Sequence, residues 1–253
     1  MLVTAPNFMR ECDIIIDPHW GETADAGAPM DNKKVFINTD YFEYIVPTIA
    51  RSSNVTLVVH HSDRFLDRIM FDAVKPYCSR VLAQNCEIQH PKLIQVPIGV
   101  AYDTPIPGQK PQLTEDRLRA VRDMDLPRDI NVYVNVSLHN PQEAKFATAR
   151  SIRQRCLEYF PSTAEKKPVE EYLKDLRRSK YVICPMGHGI DTHRFYEAAY
   201  MGARPVVLTS GLDSMYRKFG AVILNDWDEP LPEWTPPDVP DEVFHTGFWM
   251  ATV

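Results

Sequence analysis

Short apolar runs alternate with longer amphipathic segments along most of this chain. The runs are rich in Val and Ile and are too short for helices, so each predicts a buried strand. Residues 55–59, with the sequence Val-Thr-Leu-Val-Val, form the clearest of them. The predicted strands cover residues 12–16, 35–38, 55–59, 81–83, 92–96, 130–136, 181–184, 206–208 and 221–224.

The segments between these runs predict helices, because apolar residues recur in them at helical spacing. A helix over residues 41–51 is expected to be interrupted near Pro47. Another, over residues 64–79, is expected to begin directly after Asp63. The other predicted helices cover residues 114–124, 141–159, 169–179, 192–201, 212–219 and 244–250.

Alternating strands and helices predict an α/β fold in which helices cover both faces of parallel sheets. Residues 102–112 contain three prolines and a glycine, which predict an extended linker. We therefore expect two Rossmann-like domains that face a central cleft. Residues 1–104 form the first, residues 105–128 a linker and helix, and residues 129–253 the second domain with a C-terminal tail.

Polar residues follow several of the predicted strands. In open parallel sheets, ligands bind beyond the carboxyl ends of the strands, so these residues predict an enzyme cleft. The polar residues at strand ends are Asp17 and His19, the run His60, His61, Ser62 and Asp63, then Ser137, and the run Gly187, His188 and Gly189.

Composition and charge exclude several classes of protein. The net charge of −6 argues against nucleic acid as the main partner. No apolar run approaches the roughly 20 residues of a membrane span, and the N-terminus does not resemble a signal peptide, so we expect a cytoplasmic protein. The five cysteines are scattered, which indicates a reducing compartment and predicts neither a zinc site nor disulfides.

Residues 181–197 form the most informative stretch of the sequence. A short apolar strand ends at Pro185, a glycine-rich loop follows, and a helix begins after Asp191 or Thr192, either of which can cap it. Unpaired N–H groups and the helix dipole at such a junction favour an anion. The stretch therefore predicts a phosphate site.

Arg194 and Glu197 lie three residues apart and share a face of this helix. Arg194 can make a forked contact with a diphosphate, and Glu197 can accept hydrogen bonds from the hydroxyls of a ribose. Together they suggest a nucleoside diphosphate. The alternative is a surface ion pair between the two side chains, which is common and contributes little.

The sequence from Lys180 to Trp227 resembles the donor-binding half of exostosin-like glycosyltransferases, glycosyltransferase family 47, in their compact soluble form. The resemblance rests on a strand that ends in Cys-Pro, a Gly-rich turn, the segment Arg-Phe-x-Glu, and a later strand introduced by Pro-Val. Residues 210–212 and Asp226-Trp227 are also similar to the family, whereas residues 130–137 and 55–85 match it more loosely.

The resemblance implies a GT-B fold and an inverting transfer from a UDP-sugar to a hydroxyl of a glycan acceptor. Arg194 would hold the diphosphate and Glu197 the ribose. Met186 stands where the family often has Arg, so His188 or His193 would replace that contact. The expected donor-binding residues are Pro185, Gly187, His188, Gly189, Asp191, Thr192, His193, Arg194 and Glu197, with Ser137 at the end of the first strand of the second domain.

An inverting transfer needs a base that deprotonates the acceptor hydroxyl. Asp63 is the first candidate from the N-terminal half, with His61, His60 and Asp40 behind it. Asp63 could instead cap the helix predicted from Arg64. Asp17, His19 and Glu22 form a second tier, because they flank a loop that could close over the acceptor.

Two other functions fit part of the sequence. His60, His61 and Asp63, with Asp17 and His19, could serve a metal-dependent hydrolase. A non-catalytic nucleotide-sugar-binding module would need Arg194 and Glu197 but no base. Two Asp-x-Asp triplets, at residues 123–125 and 226–228, do not follow a buried strand in the early half of a sheet, so we expect a transferase that needs neither a metal nor another cofactor. The identities of the sugar and the acceptor are not specified by the sequence.

Overall fold

The computed structural model describes residues 1–18, 22–23, 28–101, 113–138, 147–162 and 165–251. The chain folds into two compact units. Unit 1 contains Met1–Ile98 and His245–Val253, and unit 2 contains Gly99–Phe244. The predicted linker at 102–112, His19 and residues 141–146 of a predicted helix lie outside the described residues.

A six-stranded sheet forms the centre of unit 1, in the order β2-β1-β3-β4-β5-β6. Every neighbouring pair is parallel except β1 and β2, which are antiparallel. Asn38 of β3 pairs in register with His60 of β4, so polar residues at the carboxyl ends of these strands lie side by side. The strands are β1 (Ile14–Asp17), β2 (Glu22–Thr23), β3 (Lys34–Asn38), β4 (Val55–His60), β5 (Cys78–Ala83) and β6 (Leu93–Gln95).

Three helices of unit 1 are α1 (Ala5–Arg10), α2 (Phe42–Ile49) and α3 (Arg68–Val74). Helix α1 is too short to show helical periodicity and was not predicted from the sequence. The expected interruption of α2 was wrong, because the helix continues through Pro47. Pro47 and Glu43, four residues before it, both lie on the solvent side, so water can satisfy the carbonyl that loses its N–H partner.

The helix predicted over residues 64–79 is shorter than expected. It begins at Arg68, because the side chain of Asp67 caps it by accepting a hydrogen bond from the backbone N–H of Met70 at 2.8 Å. Asp63 therefore does not cap this helix. The C-terminal part of the predicted segment forms β5 instead, where Val81, Leu82 and Ala83 are buried beside β4.

Unit 2 contains a four-stranded parallel sheet in the order β10-β9-β8-β7. Helices alternate with its strands, as the sequence predicts. The elements are α4 (Glu115–Arg122), β7 (Ile130–Tyr133), α5 (Ala147–Tyr159), α6 (Val169–Arg178), β8 (Ser179–Ile183), α7 (His193–Tyr200), β9 (Arg204–Leu208), α8 (Asp213–Arg217) and β10 (Val222–Leu224).

The chain after β10 has no helix or strand until a 3-10 helix at Asp241–Phe244 and α9 (Thr246–Ala251). Helix α9 belongs to unit 1, where the Thr246 hydroxyl donates to the carbonyl of Leu2 at 3.1 Å and Trp249 is buried.

These observations confirm the predicted mixed α/β fold with parallel sheets. Among the residues described, no helix is both long enough and apolar enough to cross a membrane.

Candidate functional site

The loop between β8 and α7 begins where the strand leaves its ladder. The N–H of Cys184 still donates to Val206 of β9 at 2.9 Å, and the N–H of Gly187 donates to the carbonyl of Gly189 at 3.0 Å, which closes a tight turn. Thr192 occupies the N-cap position of α7 with extended backbone, but its side chain makes no capping hydrogen bond. The N-terminus of α7 is therefore not satisfied by a side-chain cap.

Asp191, which we predicted as an alternative cap, has another role. Its carboxylate is buried and accepts the hydroxyl of Tyr196 at 2.8 Å from each oxygen. Burial, followed by the charge of Asp191, raises the pKa of Tyr196 well above its usual value. Asp191 thus anchors the loop to the second turn of α7.

Arg194 lies at the start of α7, and its side chain makes a hydrogen bond with Tyr172. Its Nε atom is inaccessible to solvent and has no hydrogen-bond partner among the described residues. A buried N–H group without a partner is costly, so each one needs an explanation, and a role in binding a ligand is one such explanation. The Nε–H of Arg194 is therefore a donor that a bound acceptor would satisfy.

Arg153 of α5 supplies a second guanidinium beside this loop. Its Nε donates to the carbonyl of Met186 at 2.9 Å and its Nη1 to the carbonyl of Ser137 at 3.0 Å. Burial, and then the charge of Arg194, lower the pKa of Arg153. A Cβ atom added to Gly187 would lie 3.5 Å from Arg153 Nη2, so the loop backbone and this guanidinium are in close contact.

Glu197 does not form a surface ion pair with Arg194. Glu197 is only 4% exposed. Its carboxylate accepts one hydrogen bond from the Tyr172 hydroxyl at 2.6 Å and another from the backbone N–H of Ala101 at 3.2 Å. Burial, and then the charge of Glu197, raise the pKa of Tyr172 well above its usual value. The i,i+3 surface pair considered from the sequence is therefore excluded.

The remaining predicted donor-binding residues surround the same loop. His193 makes a 2.8 Å hydrogen bond between Nδ1 and the carbonyl of Gly99, whereas His188 is exposed. Pro185 and Gly189 are buried, and Ser137 meets the loop through Arg153. Unit 2 therefore places Ser137, the loop, Arg194 and Glu197 in one region around the carboxyl ends of β7 and β8.

A second polar cluster lies at the carboxyl ends of β1, β3 and β4 in unit 1. The buried side chain of Asn38 donates from Nδ2 to the carbonyl of His61 at 3.0 Å and toward both carboxylate oxygens of Asp17 at 3.4 Å. Nδ1 of His61 forms a hydrogen bond with Asp17 Oδ2. The side chain of Asp17 is fully buried, while that of His61 is 24% exposed.

The other candidate bases lie near this cluster. Asp63 is exposed on the loop after β4. Asp40 is also exposed and accepts the Ser62 hydroxyl at 2.8 Å. Of the residues considered as bases, only His61 has its ring held by a buried carboxylate in the part of the chain that the structure describes.

Of the side chains considered for the metal-hydrolase alternative, His60 is held by hydrogen bonds and His19 lies outside the described residues. Nδ1 of His60 accepts the N–H of His61 at 2.8 Å, and Nε2 lies 3.1 Å from the carbonyl of Pro97. No group of three or more metal-ligating side chains occurs within the described ranges. In the second Asp-x-Asp triplet, Asp226 instead accepts from Arg155 at 3.4 Å.

Sequence reasoning did not identify Arg153, Tyr172 or Asn38. Arg153 and Tyr172 lie on amphipathic helices whose polar residues look alike in sequence, so no local signal marks them. Asn38 ends a predicted strand, as Asp17 does, and that position was a usable signal.

No protein-family model matches this chain, and no curated protein has a sequence significantly similar to it.

Proposed function

We propose that this protein is an inverting, metal-independent glycosyltransferase that moves a sugar from a UDP-sugar to a hydroxyl of a glycan acceptor. The observation that carries the proposal is the buried Nε of Arg194, at the N-terminus of α7, which has no hydrogen-bond partner among the described residues. Its surroundings fit the chemical requirements of a diphosphate leaving group.

The first requirement is positive charge where the leaving group develops negative charge. Arg194 and Arg153 place two guanidinium groups at the loop, and their mutual repulsion contributes to the lowered pKa of Arg153. A diphosphate would offset this repulsion and accept the open Nε–H of Arg194. The N–H groups at the start of α7 add donors in the same place, so a metal ion is not required to stabilise UDP.

The second requirement is recognition of the ribose. Glu197 is fixed by Tyr172 and by the backbone of Ala101, so its position is predetermined. Each carboxylate oxygen has a further lone pair, which a ribose hydroxyl would use. The role of Glu197 is therefore that of a preorganised acceptor.

The GT-B arrangement belongs to this proposal. Unit 2 would bind the UDP-sugar and unit 1 would bind the acceptor, each through the carboxyl ends of its parallel strands. The fold of the two units supports this assignment, because both sheets are predominantly parallel and both carry polar residues at those ends.

The test is isothermal titration calorimetry with UDP and a panel of UDP-sugars, in the presence of EDTA, followed by a UDP-release assay. Arg194→Gln should weaken UDP binding about 10- to 100-fold, because a charge-assisted hydrogen bond is lost. Arg178→Gln is the matched control, since Arg178 is paired with Asp129 at the surface of the same unit and should leave UDP binding unchanged.

Three outcomes are informative. Binding and UDP release with EDTA support the transferase. If a UDP-sugar binds but no UDP is released, either with an acceptor or with water alone, the protein is a nucleotide-sugar-binding module instead. Absence of binding to UDP and to every UDP-sugar contradicts the proposal, provided that the thermal melts of the wild type and both variants show folded protein.

A further inference from the structure

We infer that His61 is the general base of the transfer and that the buried carboxylate of Asp17 positions it. This inference rests on the proposed function, because a base is needed only if a hydroxyl is deprotonated. The sequence favoured Asp63, and the arrangement of side chains in unit 1 favours His61 instead.

Asp17 is held in a fixed place. Its side chain is fully buried at the end of β1, and a buried carboxylate must be paired or hydrogen-bonded. The ring of His61 meets one of its oxygens, and the amide of Asn38 approaches both at 3.4 Å. Asp17 therefore has a restricted orientation and a defined acceptor role.

This contact sets the tautomer of His61. Because a carboxylate only accepts, the proton of the neutral ring must lie on Nδ1, which leaves the lone pair on Nε2. The side chain of His61 is 24% exposed. A neutral imidazole of defined tautomer, supported by a carboxylate, is a suitable general base near neutral pH.

The backbone of His61 is held in an uncommon conformation. Its φ is +64°, in the left-handed region, which is strained for a non-glycine residue. Its N–H donates to Nδ1 of His60 at 2.8 Å and to Oε1 of Gln84 at 3.0 Å, while its carbonyl accepts from Asn38. Residues at the ends of three neighbouring strands thus keep the ring against Asp17 despite the strain.

In the proposed step one proton is transferred, one C–O bond forms and another C–O bond breaks. Nε2 of His61 takes the proton of the acceptor hydroxyl as its oxygen bonds to the anomeric carbon. The bond between that carbon and the β-phosphate oxygen breaks, and UDP leaves with the electron pair. The imidazolium is stabilised by Asp17 and afterwards releases the proton to water.

The kinetic test compares His61→Gln, Asp17→Asn and Asp63→Asn with the wild type in the UDP-release assay. His61→Gln should lower kcat by about 100-fold or more, and Asp17→Asn by at least about tenfold, with little change in the KM for the UDP-sugar. Asp63→Asn should stay within about threefold of the wild type. A His61→Gln variant with nearly normal kcat would overturn the inference.

Chemical rescue separates a base from a structural residue. Glycine tolerates the left-handed backbone of this position, so His61→Gly should fold, and added imidazole should restore part of its activity. Rescue in His61→Gly but not in Asp63→Gly supports the inference. Absence of rescue, in a variant that still binds UDP and remains folded, would count against His61 as the base.

A measurement on the free protein distinguishes failure of the inference from failure of the proposed function. Long-range ¹H–¹⁵N NMR reports the tautomer of each histidine ring, and the His61→Gln spectrum assigns the signal of His61. We expect the Nδ1–H form in the wild type and a mixture of tautomers in Asp17→Asn. An Nε2–H ring in the wild type would overturn the inference even if UDP-sugars are turned over.

If the Nδ1–H form is found but no UDP-sugar reacts, the proposed function fails and the base role fails with it, while the pairing of Asp17 and His61 stands.

Discussion

Arg194 and Glu197 are three residues apart, yet unit 2 places them in different chemical conditions. The carboxylate of Glu197 has two hydrogen-bond donors within the protein, whereas the buried Nε–H of Arg194 has no acceptor among the described residues. This asymmetry explains why Arg194, rather than Glu197, carries the proposed function.

Tyr172→Phe tests the support of Glu197. The substitution removes the hydroxyl that donates to Oε2 at 2.6 Å and leaves a buried carboxylate with fewer partners. We expect the free energy of unfolding to fall by about 1–3 kcal/mol, measured by urea denaturation. Tyr44→Phe is the control, because Tyr44 is 74% exposed, and it should change stability by less than about 0.5 kcal/mol. Equal stability of the two variants would contradict the role of Tyr172.

Buried cysteine thiols should make the free energy of unfolding depend on pH at alkaline pH. Burial raises the pKa of Cys78, Cys156 and Cys184 from 9.0 to about 12. Below pH 9 these thiols are protonated in both the folded and the unfolded chain and contribute nothing to the dependence. Between pH 9 and about 12 only the unfolded chain loses the protons, so the free energy of unfolding should fall as pH rises.

Urea midpoints measured between about pH 8 and pH 10.5 check this expectation. Tyrosines and lysines titrate in part of the same range, so the comparison is with Cys156→Ala, which lacks one buried thiol. That variant should lose stability less steeply, by at most about 1.4 kcal/mol per pH unit. Identical slopes would show that this thiol does not remain protonated in the folded state.

At the scale of elements, the last carbonyl groups of α7 accept hydrogen bonds, whereas the N-terminus of this helix has no side-chain cap. Gly202 follows the last turn with φ +76°, and the N–H groups of Gly202 and Ala203 donate back to Ala199 and Ala198 at 2.9 and 3.0 Å. The guanidinium of Arg128 closes the same end by donating to the carbonyl of Met201. The helix that carries Arg194 is therefore fixed at its C-terminus.

Gly202→Ala should destabilise the protein by about 1–3 kcal/mol, because an L-residue is strained at this φ. The added Cβ would also lie 2.5 Å from Arg128 Nη2, which must then move away from Met201. Gly247→Ala in α9 is the matched control: its Cβ would meet nothing within 4 Å. Differential scanning calorimetry should show a lower Tm only for Gly202→Ala, and a lowered Tm in both variants would contradict this account.

The elements also show where sequence reasoning succeeds. The strands and most helices could be predicted because buried positions recur as short apolar runs in strands, as in residues 55–59, and at helical spacing in helices. Helix α3 was overextended, because residues 75–79 fit a helical pattern locally but belong in part to β5, whose place is fixed by pairing with β4. Helix α1 contains only six residues and offers too little periodicity to detect.

At the scale of the whole molecule, residues 1–2 and 245–246 lie together in unit 1. The N–H of Thr246 donates to the carbonyl of Met1 at 3.1 Å, and Leu2 forms a β-bridge with His245. Trp249 of α9 is 2% exposed. The C-terminal segment is therefore part of the core of unit 1, not of the unit that precedes it in sequence.

Trp249→Ala should lower the free energy of unfolding by about 3–5 kcal/mol, because it removes a large buried side chain. Ile69→Ala in the same unit is the control, since Ile69 is 82% exposed and its loss should change stability by less than about 0.5 kcal/mol. Urea denaturation measures both. A small effect of Trp249→Ala would show that α9 contributes little to unit 1.

The sequence by itself determined the alternation of strands and helices, the glycine-rich loop after β8, and the shared face of Arg194 and Glu197. These features are local, since hydrophobic periodicity, Gly and Pro act over a few residues. Only the tertiary structure decided which distant side chains meet. Asp17 and His61 are 44 residues apart, and the parallel register of β1, β3 and β4 brings them together. Arg153 likewise reaches the loop from α5, and Tyr172 reaches Glu197 of α7 from α6, because helix packing, which has no local code, sets their positions.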